Sequence, residues 1–373
     1  MLKIISMLNN KTIAVVVPAY NEQDQISMVL ESMPSFVDRI IVVNDFSKDI
    51  TTTVVKEFIN ASQNVSSLQL NSNLEKDLSG MYNRANVLLQ QYNKEEIKRF
   101  IPHNIENLYP ETSRIILINH LKNGGVGAAI ATGYKWCKDH DIDCTAVMAG
   151  DGQMDPDELE SICMPVVSEN VDYVKGNRLI HRSSWLTIPR VRYFGNSVLS
   201  ILTKIASGYW HVSDTQTGYT AISNRALNAI PLFKIYKRYG MPNDMLVKLN
   251  IAFCTIKEVE IKPVYAIGEK SKMNVFKVLF PIMWLLGKLF VKRLWNKYLL
   301  RDFHPLFLFY NISFVLGIIA IPYGIKILIH VLNQTDVNPV TLLAFIFLII
   351  SSLQALLFAM WMDIQDNERL YKN

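Results

Sequence analysis

Two apolar runs near the C-terminus constrain this chain more than any other feature. Leu306 to Val331 contains Lys326 as its one charge, and Val340 to Met362 contains none. As a helix, each run is long enough to cross a roughly 30 Å hydrocarbon core. The linker Leu332 to Pro339 is short and polar, so the pair reads as a hairpin with both flanks on one side. Lys288, Lys292, Arg293, Lys297 and Arg301 crowd the flank before the first run. By the positive-inside rule, the N-terminal region and the tail Asp363 to Asn373 are both expected in the cytoplasm. Met1 to Asn10 is too short for a cleaved signal peptide and leads straight into a strand.

Val275 to Leu300 alternates apolar residues with Lys and Arg, the composition of helices that lie in the membrane interface. The expected organisation is a globular domain over 1–270, interfacial helices over 271–304, two transmembrane helices over 305–362 and a tail over 363–373. The net charge of +5, with cations gathered beside the membrane, points to anionic lipid headgroups and not to nucleic acid. Two apolar spans without polar faces exclude a channel or transporter unless the chain forms a homo-oligomer. Cys137, Cys144, Cys163 and Cys254 have no paired metal spacing and read as reduced thiols.

The globular part opens with a β-branched run, Thr12 to Val17, then a helical spacing over Asn21 to Met33, then a second run, Ile40 to Val43. Strand, helix, strand is the pattern of a parallel α/β sheet. In such sheets ligands sit at the carboxyl ends of the strands. That rim would carry Pro18, Ala19, Tyr20, Asn21, Glu22 and Asp45. Thr51 to Asn60 reads as a helix, Asn71 to Thr112 as a mostly helical insertion, and Arg114 to Ile118 as a strand. The glycine-rich stretch Asn123 to Ala129 opens a helix, and a glycine-rich helix start lets backbone amides approach a phosphate.

The apolar run Thr145 to Met148 ends in Ala149-Gly150-Asp151-Gly152-Gln153. Such a loop delivers a carboxylate and an amide to the sheet edge. A lone Asp is enough to hold Mg²⁺ or Mn²⁺ when the ligand's phosphates supply the remaining oxygens. The competing reading is an ordinary Asp-Gly turn. Val171 to Val174 reads as a strand ending in Lys175-Gly176-Asn177-Arg178. Ile188 to Ser207 reads as an apolar helix carrying Arg190, Arg192 and Asn196. Val259 to Ala266 is a further expected strand, followed by a cationic loop, Gly268 to Asn274, that holds Lys272.

In this order the motifs resemble the family 2 glycosyltransferases of the dolichol- and polyprenyl-phosphate sugar synthase type. The matching pieces are Val17 to Glu22, Val43 to Asp49, Asn123 to Gly133, the acidic loop, Gly176-Asn177-Arg178, Asp214 to Tyr219, Asn243-Asp244 and Gly268 to Asn274. The resemblance implies a GT-A nucleotide-sugar-binding domain, a UDP- or GDP-linked sugar donor and a divalent cation. Carried over by position, Pro18, Ala19, Tyr20, Asn21, Glu22, Asp45 and Gly127 would bind the donor. Asp151 and Gln153 would meet the metal and diphosphate, and Lys272 would close over the donor phosphates. Arg178, Arg192 and Asn196 would hold an acceptor phosphate, and Asp244 stands where hydroxyl-directed relatives place a catalytic carboxylate.

Two positions depart from the family pattern. Ala149 replaces the first aspartate of an Asp-x-Asp loop, and Asn44 replaces the first aspartate of Asp-Asp-Gly-Ser. A lipid monophosphate is mostly ionised at neutral pH, so it is already a nucleophile. The implied activity is therefore an inverting, metal-dependent hexosyl transfer to a polyprenyl phosphate. The alternatives are a hydroxyl acceptor activated by Asp244 or Asp214, and a nucleotide-sugar-binding membrane protein without turnover. For the arginines, the competing reading is pairing with Asp172 or Asp214.

Overall fold

A computed structural model of the chain describes residues 8–62, 81–188, 190–264 and 275–372, without the side chains of 81, 191, 192 and 275–279. Among the described residues one sheet is built from Ile13–Ala19 (β1), Arg39–Asn44 (β2), His103–Ile105 (β3), Ile115–His120 (β4), Cys144–Val147 (β5), Tyr173–Asn177 (β6), Thr220–Ser223 (β7) and Ile256–Glu260 (β8). The strand order is β3-β4-β2-β1-β5-β7-β6-β8. β4, β2, β1 and β5 are mutually parallel, as the strand and helix alternation requires. β7 runs antiparallel to both β5 and β6, and β8 is parallel to β6.

The helices are Ile26–Glu31 (α1), Thr51–Ala61 (α2), Arg84–Glu96 (α3), Val126–Asp139 (α4), Leu159–Ser168 (α5), Ser184–Thr187 (α6), Arg190–Ser207 (α7), Asn224–Ala229 (α8), Met241–Ile251 (α9), Val275–Trp295 (α10), Pro305–Leu332 (α11) and Pro339–Glu368 (α12). Alternate residues of β1 and β2 serve opposite faces of the sheet. Val15, Val17, Ile40 and Val42 pack under α1, α2 and α5, whereas Ala14, Val16, Ile41 and Val43 pack under α4, α8 and α9. Burial on both faces explains why these strands read as continuous apolar runs.

Several elements differ from the sequence expectation. In the expected insertion, α3 is helical, but His103–Ile105 pairs antiparallel with β4 as an edge strand. Residues 63–80 lie outside the described part. β8 starts at Ile256 and ends at Glu260, earlier than the expected strand, because Ile256 and Glu258 pair with Tyr173 and Lys175 of β6. α12 does not stop at Met362 but continues to Glu368.

α11 and α12 are both long and apolar enough to cross a membrane. They leave side chains such as Phe314, Ile318, Phe347 and Trp361 exposed along their length. The polar end of α12 is bolted to the globular domain. Asp363 accepts both guanidinium edges of Arg293 at 2.7 Å, and both residues have 0 % exposure. Arg293 also donates to the carbonyls of Ala206 and Ile205 at the end of α7. Lys297, equally buried, donates to Asn250 of α9 and Asn367 of α12. Beyond the helix, Tyr371 bridges in parallel to Ile256, so the tail is pinned to the start of β8 at the sheet edge. Removing one partner of such a buried pair typically costs about 3–5 kcal/mol, since the other charge is left unpaired.

Gly208 is the position this junction leaves for no other residue. Its φ is +79°, and an added Cβ would lie 2.3 Å from Arg293 Nη1. Gly208→Ala is expected to destabilise the protein by about 1–3 kcal/mol. Gly287, in the interior of α10 with nothing within 4 Å of its missing Cβ, is the control; Gly287→Ala is expected to be neutral or to gain up to about 1 kcal/mol. Denaturation midpoints of the two variants in detergent check both; similar midpoints would contradict the assignment.

Candidate active site

The strand register sets the rim. Ala19 pairs with Asn44, and Asn44 with Asn119, so β1, β2 and β4 end at one level. Gly150 N–H donates to Pro18 O at 3.2 Å, which ties the acidic loop to the end of β1. Val147 is level with Thr220, and Thr220 with Lys175. Because β7 runs antiparallel between them, β5 and β6 point the same way, and their ends lie two strand spacings, about 10 Å, apart. Asp151 and Arg178 therefore occupy the same rim.

The first half of the rim is a pair of cross-laced loops. Asn21, with φ of 57°, accepts Lys48 N–H at 2.8 Å through its side chain, and its own N–H donates to Ser47 Oγ at 3.0 Å. Glu22 N–H donates to Thr51 Oγ1 at 3.0 Å. Pro18 and Ala19 are buried with their carbonyls taken by Gly150 and Asp45, while Tyr20 is exposed. Asn44 donates its amide hydrogens to Thr52 Oγ1 and to Asn119 Oδ1, at 2.7 and 3.0 Å, and its oxygen accepts from Ser47. An aspartate here could not donate.

Asp45 is 3 % exposed, and its carboxylate binds inward. It accepts Gly124 N–H at 2.8 Å, Gly125 N–H at 2.7 Å and His120 Nδ1 at 2.7 Å. The start of α4 is thereby occupied by protein. Gly127 N–H donates to Lys237 O at 3.0 Å, and an added Cβ on Gly125 or Gly127 would lie 2.4 or 2.1 Å from the carbonyls of Lys237 and Tyr236. These glycines admit the backbone of residues 236 and 237, and the Gly127 amide expected to face the donor is bonded to Lys237 O.

The acidic loop sits between the halves. Gly152, with φ of +73°, reverses the chain so that Asp151 and Gln153 flank it, and Gln153 N–H donates to Asp151 Oδ1 at 3.1 Å. Both side chains are part-exposed. Asp155 caps the next turn through Asp157 N–H and pairs with Lys262, so its carboxylate is committed. One carboxylate and one amide oxygen on an open loop fit a hard cation that shares its remaining ligands between water and diphosphate. Among the described residues there is no cluster of three or more acidic, His or Cys ligands.

The second half of the rim is a buried charge network. Asp214, at 0 % side-chain exposure, binds Arg178 through Nε at 2.8 Å and Nη2 at 3.1 Å. Burial pushes the Asp214 carboxyl up, but Arg178 and Lys175 outweigh it and hold it below the ordinary aspartate range. Burial pushes Lys175 down to about 8, against the pull of Asp214 and Glu258. Gln216 donates to Asn243 Oδ1 at 3.0 Å, as does Thr203 of α7 at 3.1 Å, which joins the Asp214–Tyr219 and Asn243-Asp244 motifs. Asn196 lies part-buried on the same helix. Asp244 is 3 % exposed and is bound by Lys248 and by Tyr236 N–H. The Arg192 side chain and Lys272 lie outside the described residues.

His120, Lys175 and Met154 are parts of this site that the sequence reading passed over. His120 carries a readable signal, since Asn119-His120 ends its strand as Asn44-Asp45 ends β2. Met154, whose sulfur accepts Ala149 N–H at 3.2 Å, carries none.

The sequence profile of glycosyl transferase family 2 matches residues 14–85 and 98–231. A UDP-N-acetylglucosamine–dolichyl-phosphate N-acetylglucosaminyltransferase of Methanococcus voltae is 27% identical over 285 residues, which cover 75% of this chain and 98% of that protein. An uncharacterised protein of Methanocaldococcus jannaschii is 25% identical over 284 residues, 75% of this chain and 94% of its own. Among solved structures, glucosyl-3-phosphoglycerate synthase from Mycobacterium tuberculosis with bound UDP aligns over 76% of this chain and 80% of its own, at 17% identity and a TM-score of 0.47.

Asn44→Asp restores the usual family residue yet removes two donated bonds beside the buried Asp45 carboxylate. It is expected to destabilise by about 1–3 kcal/mol; an unchanged or raised melting temperature would contradict this. Lys175 supplies a pH dependence. Between pH about 8 and 10.5 the unfolded chain holds a proton on this amine that the folded chain has released, so stability from this group rises with pH across that window. Lys175→Met is expected to flatten the rise in melting temperature from pH 7.5 to 9.5 relative to the parent protein, and an identical slope would contradict it.

Proposed function

The chain belongs to glycosyl transferase family 2, and from that membership we propose that it transfers a sugar from a nucleoside-diphosphate sugar to a polyprenyl phosphate at the membrane. The observation that carries this reading is the pairing, on one rim, of an acidic loop with a buttressed arginine, in a domain bolted to an apolar hairpin. The Methanococcus voltae relative, named for UDP-N-acetylglucosamine and dolichyl phosphate, supports the same donor and acceptor classes. UDP-N-acetylglucosamine is accordingly the first donor to test.

In this proposal Pro18, Ala19, Tyr20, Asn21 and Glu22 form the floor for base and ribose, and Asp45 acts from below by fixing the start of α4. Asp151 and Gln153 would hold Mg²⁺ or Mn²⁺, and Lys272 would add positive charge for the donor phosphates. The cation, when bound, offsets charge that grows on the leaving diphosphate. Arg178, with Arg192 and Asn196 from α7, holds the acceptor phosphate, whose oxygen attacks the anomeric carbon from the face opposite the departing diphosphate. The carbon–oxygen bond to the diphosphate breaks, a new one to the lipid phosphate forms, and the configuration inverts.

No base is required, because the phosphate oxygen is already ionised. A hydroxyl acceptor would need one, and the engagement of Asp214 by Arg178 and of Asp244 by Lys248 favours the phosphate. The globular domain, with the tail that pairs to its sheet, is assigned to the cytoplasmic side.

The test uses purified protein in liposomes containing dolichyl phosphate, with Mn²⁺ and a panel of UDP- and GDP-sugars. A lipid-linked monosaccharide is expected with at least one donor. Asp151→Asn is expected to lower turnover by about 100-fold or more, the scale of losing one aligned electrostatic contact to developing charge, at an unchanged melting temperature. Arg178→Ala is expected to raise the acceptor KM more than the donor KM. No product with any donor, or an unimpaired Asp151→Asn, would overturn the proposal.

A further inference from the structure

Arg178 is bracketed on two sides. Asn177, the residue before it, folds its side-chain oxygen back to accept the N–H groups of Leu179 and Ile180, at 2.9 and 3.3 Å. Asp214, opposite, accepts the Arg178 backbone N–H at 3.2 Å as well as its guanidinium. Both brackets are gripped by one carboxylate from the neighbouring strand. Glu258 of β8 accepts Asn177 Nδ2 at 2.9 Å, Asp214 N–H at 3.0 Å and Ser213 N–H at 2.9 Å.

From this geometry we propose that Glu258 is a positioning residue: it aims Arg178 at the acceptor phosphate without touching either substrate. The proposal rests on the acceptor role assigned to Arg178 above. Four features give it content. Glu258 sits on a strand paired along one edge to β6, which ends at Asn177, and bridged along the other by the tail. Ile256 N–H donates to Leu370 O at 2.7 Å and Lys372 N–H to Ile256 O at 2.8 Å, so β8 is held from both edges. The tail is also the continuation of α12, so the strand that aims Arg178 is seated on the membrane hairpin. Finally, the three donors leave Glu258 no tolerance for an amide: one oxygen faces Asn177 Nδ2 and both face backbone N–H groups.

In Glu258→Gln, the new NH₂ must therefore oppose either the Asn177 amide or the Ser213 and Asp214 N–H groups. Asn177 cannot turn over to accept without releasing Leu179 and Ile180. The bracket opens in either case, and Arg178 loses its aim while the acidic loop, on the other side of β7, keeps its own bonds.

The experiment measures KM for dolichyl phosphate and for the nucleotide sugar in the full-length protein, its Glu258→Gln and Arg178→Ala variants and the double variant. Glu258→Gln is expected to raise the acceptor KM about tenfold, the effect of displacing a charge-assisted contact, and to leave the donor KM within about twofold. In the double variant, the acceptor KM is expected to stay at the Arg178→Ala value, because the residue being aimed is gone. A role in stability alone would lower the active fraction and leave both KM values unchanged. Equal changes in both KM values, unchanged KM values, or full multiplication of the two single effects would overturn the assignment while the proposed activity stands. Absence of transfer by the parent protein would overturn both.

Discussion

The meeting of Arg178 and Asp151 on one rim depends on one strand running backwards. β1, β2, β4 and β5 end together because they are parallel, but Arg178 follows β6, which is not their neighbour. β7, antiparallel to both β5 and β6, restores the direction and brings Arg178 to the rim that carries Asp151. β7 is four residues long, and Tyr219 just before it donates its hydroxyl to Asp155 O at 2.9 Å, which anchors the acidic loop from the other side. A mixed sheet thus does what a fully parallel one would need another crossover helix to do.

Four of the buried carboxylates each hold one part of the fold against another. Asp45 fixes the start of α4, Asp214 fixes Arg178, Asp244 fixes Tyr236 and Lys248, and Asp363 fixes the hairpin to α10. Such pairs contribute little net stability relative to apolar packing, but they tolerate no loss of one partner. Their return here is geometry. The two departures from the family pattern fit this logic. Asn44 is answered by Asn119, an acceptor directly across the register. Ala149 leaves Asp151, which is part-exposed, as the carboxylate at the tip of the loop, while Asp155 is turned to its own helix cap and to Lys262.

Much of the fold was legible because doubly buried strands announce themselves as β-branched runs. The parallel core, the hairpin and the order of the rim loops follow from that signal and from glycine and acidic punctuation. β3 and β7 were not legible: His-Asn-Ile and Thr-Ala-Ile-Ser are three and four residues long, too short to show a period, and their strand character comes from pairing partners. β6 was read short because Lys175, Gly176 and Asn177 look like a loop, whereas Lys175 is buried against Thr217 O. The last turns of α12 read as a solvated tail because Asp363, Asp366 and Asn367 are polar; their partners, Arg293, Tyr298 and Lys297, lie some seventy positions earlier. The glycine-rich start of α4 gave the right element, but it could not show that the 236–237 backbone packs there, since close approach of a backbone and of a phosphate make the same demand on a glycine.

The proposed transfer requires Asp151, nearly alone, to bring a cation to a nucleotide diphosphate. Calorimetric titration of UDP into the detergent-solubilised protein, with and without Mn²⁺, addresses this before any acceptor is involved. UDP is expected to bind in the presence of Mn²⁺, to bind about tenfold or more weakly when the metal is chelated, and to lose that metal dependence in Asp151→Asn. Equal UDP affinity with and without Mn²⁺ in the parent protein, or an Asp151→Asn variant that keeps the metal effect, would contradict that requirement.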